Sequence, residues 1–159
     1  MRMDDITIEE HLSELRRLYV EATPRQRLHI AKQRLESPEH GPNALVAAVS
    51  AVEGFARSIA MHCRAGSKAE LTAIYPQYKF KAPEELIAEY LQSRNLGSPE
   101  TFFDPESWRL FKIAVKYRNV LAHECTYLGQ DKSPSLISAA RDVLSKLAET
   151  QGLEFDAEA

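Results

Sequence analysis

Helix-opening signals recur along this chain from end to end, while the alternating apolar and polar runs that announce strands are nearly absent. Thr7-Ile8-Glu9-Glu10 and Thr23-Pro24-Arg25-Gln26 each place a hydroxyl residue three positions before a Glu or Gln. In that spacing each side chain satisfies an orphan N–H at the other's end of the first turn. The two boxes predict one helix running to about Ala22 and a second, with Pro24 at its first position, to about Leu35. Ser67-Lys68-Ala69-Glu70 caps a short helix, Pro83-Glu84-Glu85 opens another to about Arg94, and Asp104 caps a helix from Pro105 to about Glu124. Between Asn43 and Ala65 the residues Leu45, Val49, Val52, Ala56 and Ile59 recur at helical spacing and Gly66 is placed to end the run, which predicts the central helix. A last amphipathic helix, Ser135 to Thr150, carries Leu136, Ile137, Ala140, Val143, Leu144 and Leu147 and stops before Gly152. Segments 37–42, 76–83, 96–105 and 129–134 read as breaks or loops. The expected fold class is therefore all-α.

A chain of 159 residues suits one core, so the reading is a single helical domain over 1–153, with an N-terminal helical pair at 1–36, a main bundle at 43–152 and a frayed acidic tail at 154–159. Twenty Lys and Arg against 23 Asp and Glu leave a net charge of −3, which excludes a globally basic nucleic-acid binder and confines any RNA contact to a local patch. Two cysteines, Cys63 and Cys125, are too few for a disulfide scaffold or a cysteine-rich zinc module. Together with the lack of an apolar leader or of 18 consecutive apolar residues, they point to a reduced, cytoplasmic setting without a membrane span. His11, His29, His40 and His62 have no companions at ligand spacing, so no metal site and no cofactor are expected. Gly-rich phosphate loops, nucleophile elbows and His-Glu-x-x-His are absent from the sequence.

The helix from Pro105 is the most informative element. At about 100° per residue its apolar side chains, from Trp108 and Leu110 through Val120, Leu121 and Ala122, cover an arc of roughly 240°. Such a helix must be covered on two sides, by its own chain or by a partner protomer. Arg109, Lys112, Lys116, Asn119 and His123 form a polar ridge in the remaining window. Arg118 falls inside the apolar arc, about 140° from His123. A guanidinium there must be paired or functional, because an unpaired buried charge costs several kcal/mol.

Arg118-Asn119-Val120-Leu121-Ala122-His123 near the end of this helix, preceded by a long helix with polar residues set in an apolar run (Ser50-Ala51-Val52-Glu53), resembles the Arg-x4-His motif of the HEPN (higher eukaryotes and prokaryotes nucleotide-binding) domain family. The likeness spans Asn43 to Thr150 in helix order. It implies a HEPN-like antiparallel helical bundle, here with additional N-terminal helices, that forms homodimers and cleaves RNA without a metal. His123 would then act as general acid or base at the ribose 2′-hydroxyl or the leaving oxygen, Arg118 would stabilise the phosphorane and Asn119 would position one of them. Those roles suit an imidazole that titrates near neutrality and a guanidinium that matches phosphate oxygens. Arg109, Lys112 and Lys116 would track the RNA backbone, and Glu53 would support the site. The likeness extends to toxins or phage-defence effectors with an antitoxin as protein partner. In some nucleotidyltransferase-paired toxins a Tyr stands two places after the His, and here that place is Cys125, with Tyr127 two further on.

Plainer readings stand beside these. Arg118 could tie two helices together through an ion pair with Glu53, and Glu53 has a second ready partner in Arg57 at i+4. His123 suits a helix C-terminus as a cation, and the three ridge cations suit a solvated face. On that reading the chain is a non-catalytic HEPN-like dimerisation or interaction module, or a nucleotide-binding regulator.

Overall fold

The computed structural model describes residues 3–36, 42–124 and 133–155, with side chains described over 7–36, 43–121 and 134–155. Those residues form eight α-helices and no strand: α1 (Met3–Glu21), α2 (Pro24–Glu36), α3 (Pro42–His62), α4 (Lys68–Tyr78), α5 (Pro83–Ser93), α6 (Pro99–Phe102), α7 (Pro105–Glu124) and α8 (Ser133–Thr150). The all-α expectation holds. The predicted turn at 129–134 lies almost wholly outside the described residues.

Most helix starts form as the local signals predict. The Gln26 N–H donates to Thr23 Oγ1 at 3.2 Å while Thr23 N–H donates to Gln26 Oε1 at 2.9 Å, a reciprocal capping box on α2. Ser67 Oγ accepts from the Glu70 N–H, and Asp104 Oδ2 accepts from the Ser107 N–H at 3.1 Å. Gly152, with φ +67°, ends α8 in the left-handed conformation a glycine tolerates.

Four expectations change. Helix α1 begins at Met3, so Thr7 lies inside it and not at its cap. Pro76 sits within the last turn of α4 and does not open a loop. The carbonyl its missing N–H leaves unbonded belongs to the exposed Thr72, which water can reach, while Tyr78 two residues on is drawn fully into the core. Within the predicted linker Ser98 starts the single turn α6. The acidic tail is anchored at its beginning, because Phe155 is buried and its carbonyl accepts from Ser145 Oγ at 3.4 Å.

Helix α3 is the axis of the core and packs against α2, α5, α7 and α8. Leu45, Val49, Val52, Phe55, Ala56 and Ile59 are solvent-free on it. They meet Leu86, Ile87 and Leu91 of α5, Phe111 and Ala114 of α7, and Val143, Leu144 and Leu147 of α8 in one continuous cluster, which also takes in Val20, Leu28 and Ala31 of α1 and α2. Each fully buried Leu, Ile or Phe adds about 1.5–3 kcal/mol. Phe103, Trp108 and Phe111 stack in series, with centroids 5.1 and 5.6 Å apart, and fix the start of α7 against this core. Among the described residues α3 alone is long and apolar enough to cross a membrane, yet 72% of that window is buried inside the bundle, as in a core helix.

Candidate functional site at the crossing of α3 and α7

Ser50 and Glu53 stand three residues apart on α3 and therefore share one side of it. Helix α7 packs along that side and brings Arg118 to both. Arg118 Nη1 lies 2.8 Å from Glu53 Oε1 and 3.5 Å from Ser50 Oγ, and its Nε donates to Asn119 Oδ1 at 3.2 Å. The guanidinium inside the apolar arc is thus paired, with side chains 13% exposed for Arg118 and 22% for Glu53. Enough burial remains for the attraction to exceed that of a surface pair, and enough solvent access remains for a ligand to compete for it.

The second oxygen of Glu53 receives Arg57 Nη2 at 3.3 Å. Arg57 also donates to the carbonyls of Tyr78 and Lys81 at 3.1 and 3.2 Å and to the Tyr19 hydroxyl at 3.0 Å. Burial works against the Arg57 charge, but Tyr19 and Glu53 more than offset it and hold the guanidinium above its ordinary range. One carboxylate therefore serves two guanidiniums, and a continuous polar chain runs from Asn119 through Arg118, Glu53 and Arg57 to Tyr19. It ties α7, α3, the α4–α5 connection and α1 together.

The remaining predicted site residues are distributed differently. Helix α7 includes position 123, but the His123 side chain lies outside the described residues, as do Cys125 and Tyr127. Arg109 is held by Glu106 one turn earlier, with Nη2 2.5 Å from Oε1, so one cation of the ridge is already neutralised. Lys112 is half-buried and Lys116 exposed. All three project about 120° or more away from Arg118 around the helix, so ridge and pair do not share a face. The apolar arc itself is covered by α3 and α8 over Trp108, Phe111, Ala114 and Val115, while Ile113 at its edge is exposed. Among the described residues no group of three His, Cys, Asp or Glu could hold a metal ion.

Sequence reasoning missed the cleft on the other flank of Glu53. Between α1, α2, α3 and α4 lies a cavity of about 430 Å³ into which Arg16, Arg27, Arg34 and Arg57 reach, and Ser50 and Glu53 form part of its wall. A signal was present: Arg27 and Arg34 stand seven apart on α2 and so share a face.

Compared with protein-family models, curated proteins and solved structures, the chain matches none.

Proposed function

We propose that this protein is a metal-independent endoribonuclease of HEPN type, acting as a cytoplasmic homodimer, with the toxin or phage-defence role that the resemblance implies. The observation that supports it most is the placement of Arg118. It is seated at the α3–α7 crossing by Glu53, Ser50 and Asn119, on the same helix that carries His123. Seating matters because a preorganised guanidinium can stabilise charge developing on a phosphorane without reorganising at the moment of reaction. Glu53 holds that guanidinium in the resting protein, and an arriving phosphate would compete for it. His123, as acid or base, would move the proton at the 2′-hydroxyl or the leaving oxygen. Because positions 118 and 123 stand about 140° apart on a helix, the catalytic pair would be assembled between two chains meeting along α7.

Incubating the chain with total RNA in EDTA tests this. Cleavage is expected, with loss of about 100-fold or more in both Arg118→Ala and His123→Ala, as for removal of a charge-stabilising donor or a general acid–base group. Cleavage unchanged in both variants would refute the reading. The ion pair itself favours a second reading, an interaction module in which Arg118 and Glu53 act as a strut between helices. There, Arg118→Ala changes stability or oligomeric state and RNA remains intact with the unaltered chain.

A further inference from the structure

The cleft beside Glu53 has a charge balance unlike the rest of the chain. Four arginines and one carboxylate line it, although the whole sequence carries an excess of three negative charges. That carboxylate is already shared between Arg57 and Arg118. The four arginines are not equivalent. Arg57 is the floor, buried and fully engaged by carbonyls, hydroxyl and carboxylate.

Arg27 is different. It lies over the Tyr19 ring with its guanidinium carbon 4.2 Å from the centroid, and Nη2 reaches the Tyr19 carbonyl at 3.5 Å. Its Nε is buried and has no hydrogen-bond partner, and no carboxylate pairs with it among the described residues. Burial accordingly pushes this guanidinium below its ordinary range, with Tyr19 opposing. A buried donor left unmade costs the group its full desolvation penalty, and the same guanidinium lines the cleft with no carboxylate to balance its charge, a balance that an anion arriving there would supply. Arg16 comes from α1 across the opening, its guanidinium carbon 5.7 Å from the centre of the Tyr75 ring. Arg34 enters from α2 two turns beyond Arg27. Gly54 of α3 lies beneath Arg27 and Tyr19, where a Cβ would stand in ordinary contact, 3.6 Å from Arg27 Cδ.

We infer that this cleft binds a run of adjacent phosphates. Arg16 from α1 and Arg27 from α2 reach in from two helices above the engaged Arg57, and guanidiniums spaced in this way match several oxyanions along a chain better than one isolated anion, since a guanidinium can offer a two-pronged donor to a phosphate. Two sources share this chemistry: a free polyphosphate, including the tail of a nucleotide, and successive phosphates of an RNA strand. The shared wall at Ser50 and Glu53 would place such a strand next to Arg118. The binding claim stands apart from cleavage, since none of the cleft arginines is assigned to the reacting atoms.

Calorimetry on the full chain tests it with sodium tripolyphosphate and, separately, a 2′-O-methyl oligoribonucleotide, which lacks the hydroxyl needed for cutting. Tripolyphosphate is expected to bind, with affinity falling as salt rises. Arg27→Ala is expected to weaken it about tenfold or more. Arg16→Glu, an exposed change that leaves the core untouched, is expected to do the same by reversing charge at the mouth. Circular dichroism of both variants separates lost binding from lost folding. Displacement of tripolyphosphate by the oligonucleotide identifies strand phosphates as the source, and absence of displacement identifies a free polyphosphate. If tripolyphosphate does not bind, or binds equally well to the folded Arg16→Glu and Arg27→Ala chains, the inference is overturned. Because the probe cannot be cleaved and His123 is unaltered, that failure would leave the ribonuclease proposal standing, and the reverse holds as well.

Discussion

Helices α1 and α8 are nearly equal in length, at 19 and 18 residues, and both repeat leucines and other apolar side chains at three- and four-residue spacing, yet they end up in opposite environments. On α8, Ala140, Val143, Leu144 and Leu147 are wholly removed from solvent between α3 and α7. On α1, Ile8, Leu12, Leu15 and Leu18 remain 57, 58, 49 and 51% exposed, and only the last turn, through Val20, joins the core. Periodicity therefore specifies that a helix has an apolar side. Which neighbour arrives to cover it depends on the rest of the chain. Helix α8 meets α3 and α7, the two longest helices, whereas α1 leans mainly on α4, an 11-residue helix whose buried side chains are Leu71 and Tyr78, and has polar contacts around Tyr19.

Substitutions can break or sharpen that contrast. The largest effect is expected at Leu144→Ala, which opens a cavity at the centre of the cluster and should lower stability by about 2–5 kcal/mol in urea denaturation, with the slope of the transition unchanged. Glu53→Ala comes next: it strands two partly buried guanidiniums at once and should cost about 1–3 kcal/mol. A double-mutant cycle with Arg118→Met would read the coupling within the pair, and a coupling near zero would show that Glu53 does not hold Arg118 in solution. Gly152→Ala, forced into a left-handed conformation at the end of α8, should destabilise by about 1 kcal/mol. The smallest effect is expected at Leu15→Ala on α1, within about 0.5 kcal/mol at low protein concentration. A loss there as large as at Leu144 would mean that α1 is covered in solution and would remove the contrast.

The same division runs through the candidate site. That Arg118 needed a partner followed from its position in the apolar arc, and Glu53 was a candidate because it interrupts another apolar run. The structure adds that Glu53 divides itself between Arg118 and Arg57, and that Arg57 carries the network on to Tyr19 and the α4–α5 connection. The ridge of Arg109, Lys112 and Lys116 was legible as geometry, but its tie to Glu106 was passed over, although a Glu three residues before an Arg on a helix is an ordinary pairing distance. The arginine cleft escaped for a different reason. Its members come from α1, α2 and α3, and no wheel drawn on one helix can bring them together.

What the sequence determined by itself was the succession of helices and most of their beginnings. Thr23, Ser67 and Asp104 act on N–H groups three residues away, and no distant part of the chain need be known to place them. The exceptions mark the limit of that range. Pro76 lies in the last turn of α4 beside the buried Tyr78, and Phe155 is buried with its carbonyl accepting from Ser145. Only the tertiary structure decided which apolar faces were covered, that Glu53 would meet Arg118 across 65 residues of sequence, and that four arginines would surround one cleft. Side-chain contacts of this kind reach only a few ångströms, so they come into being when packing has already chosen which helices lie side by side.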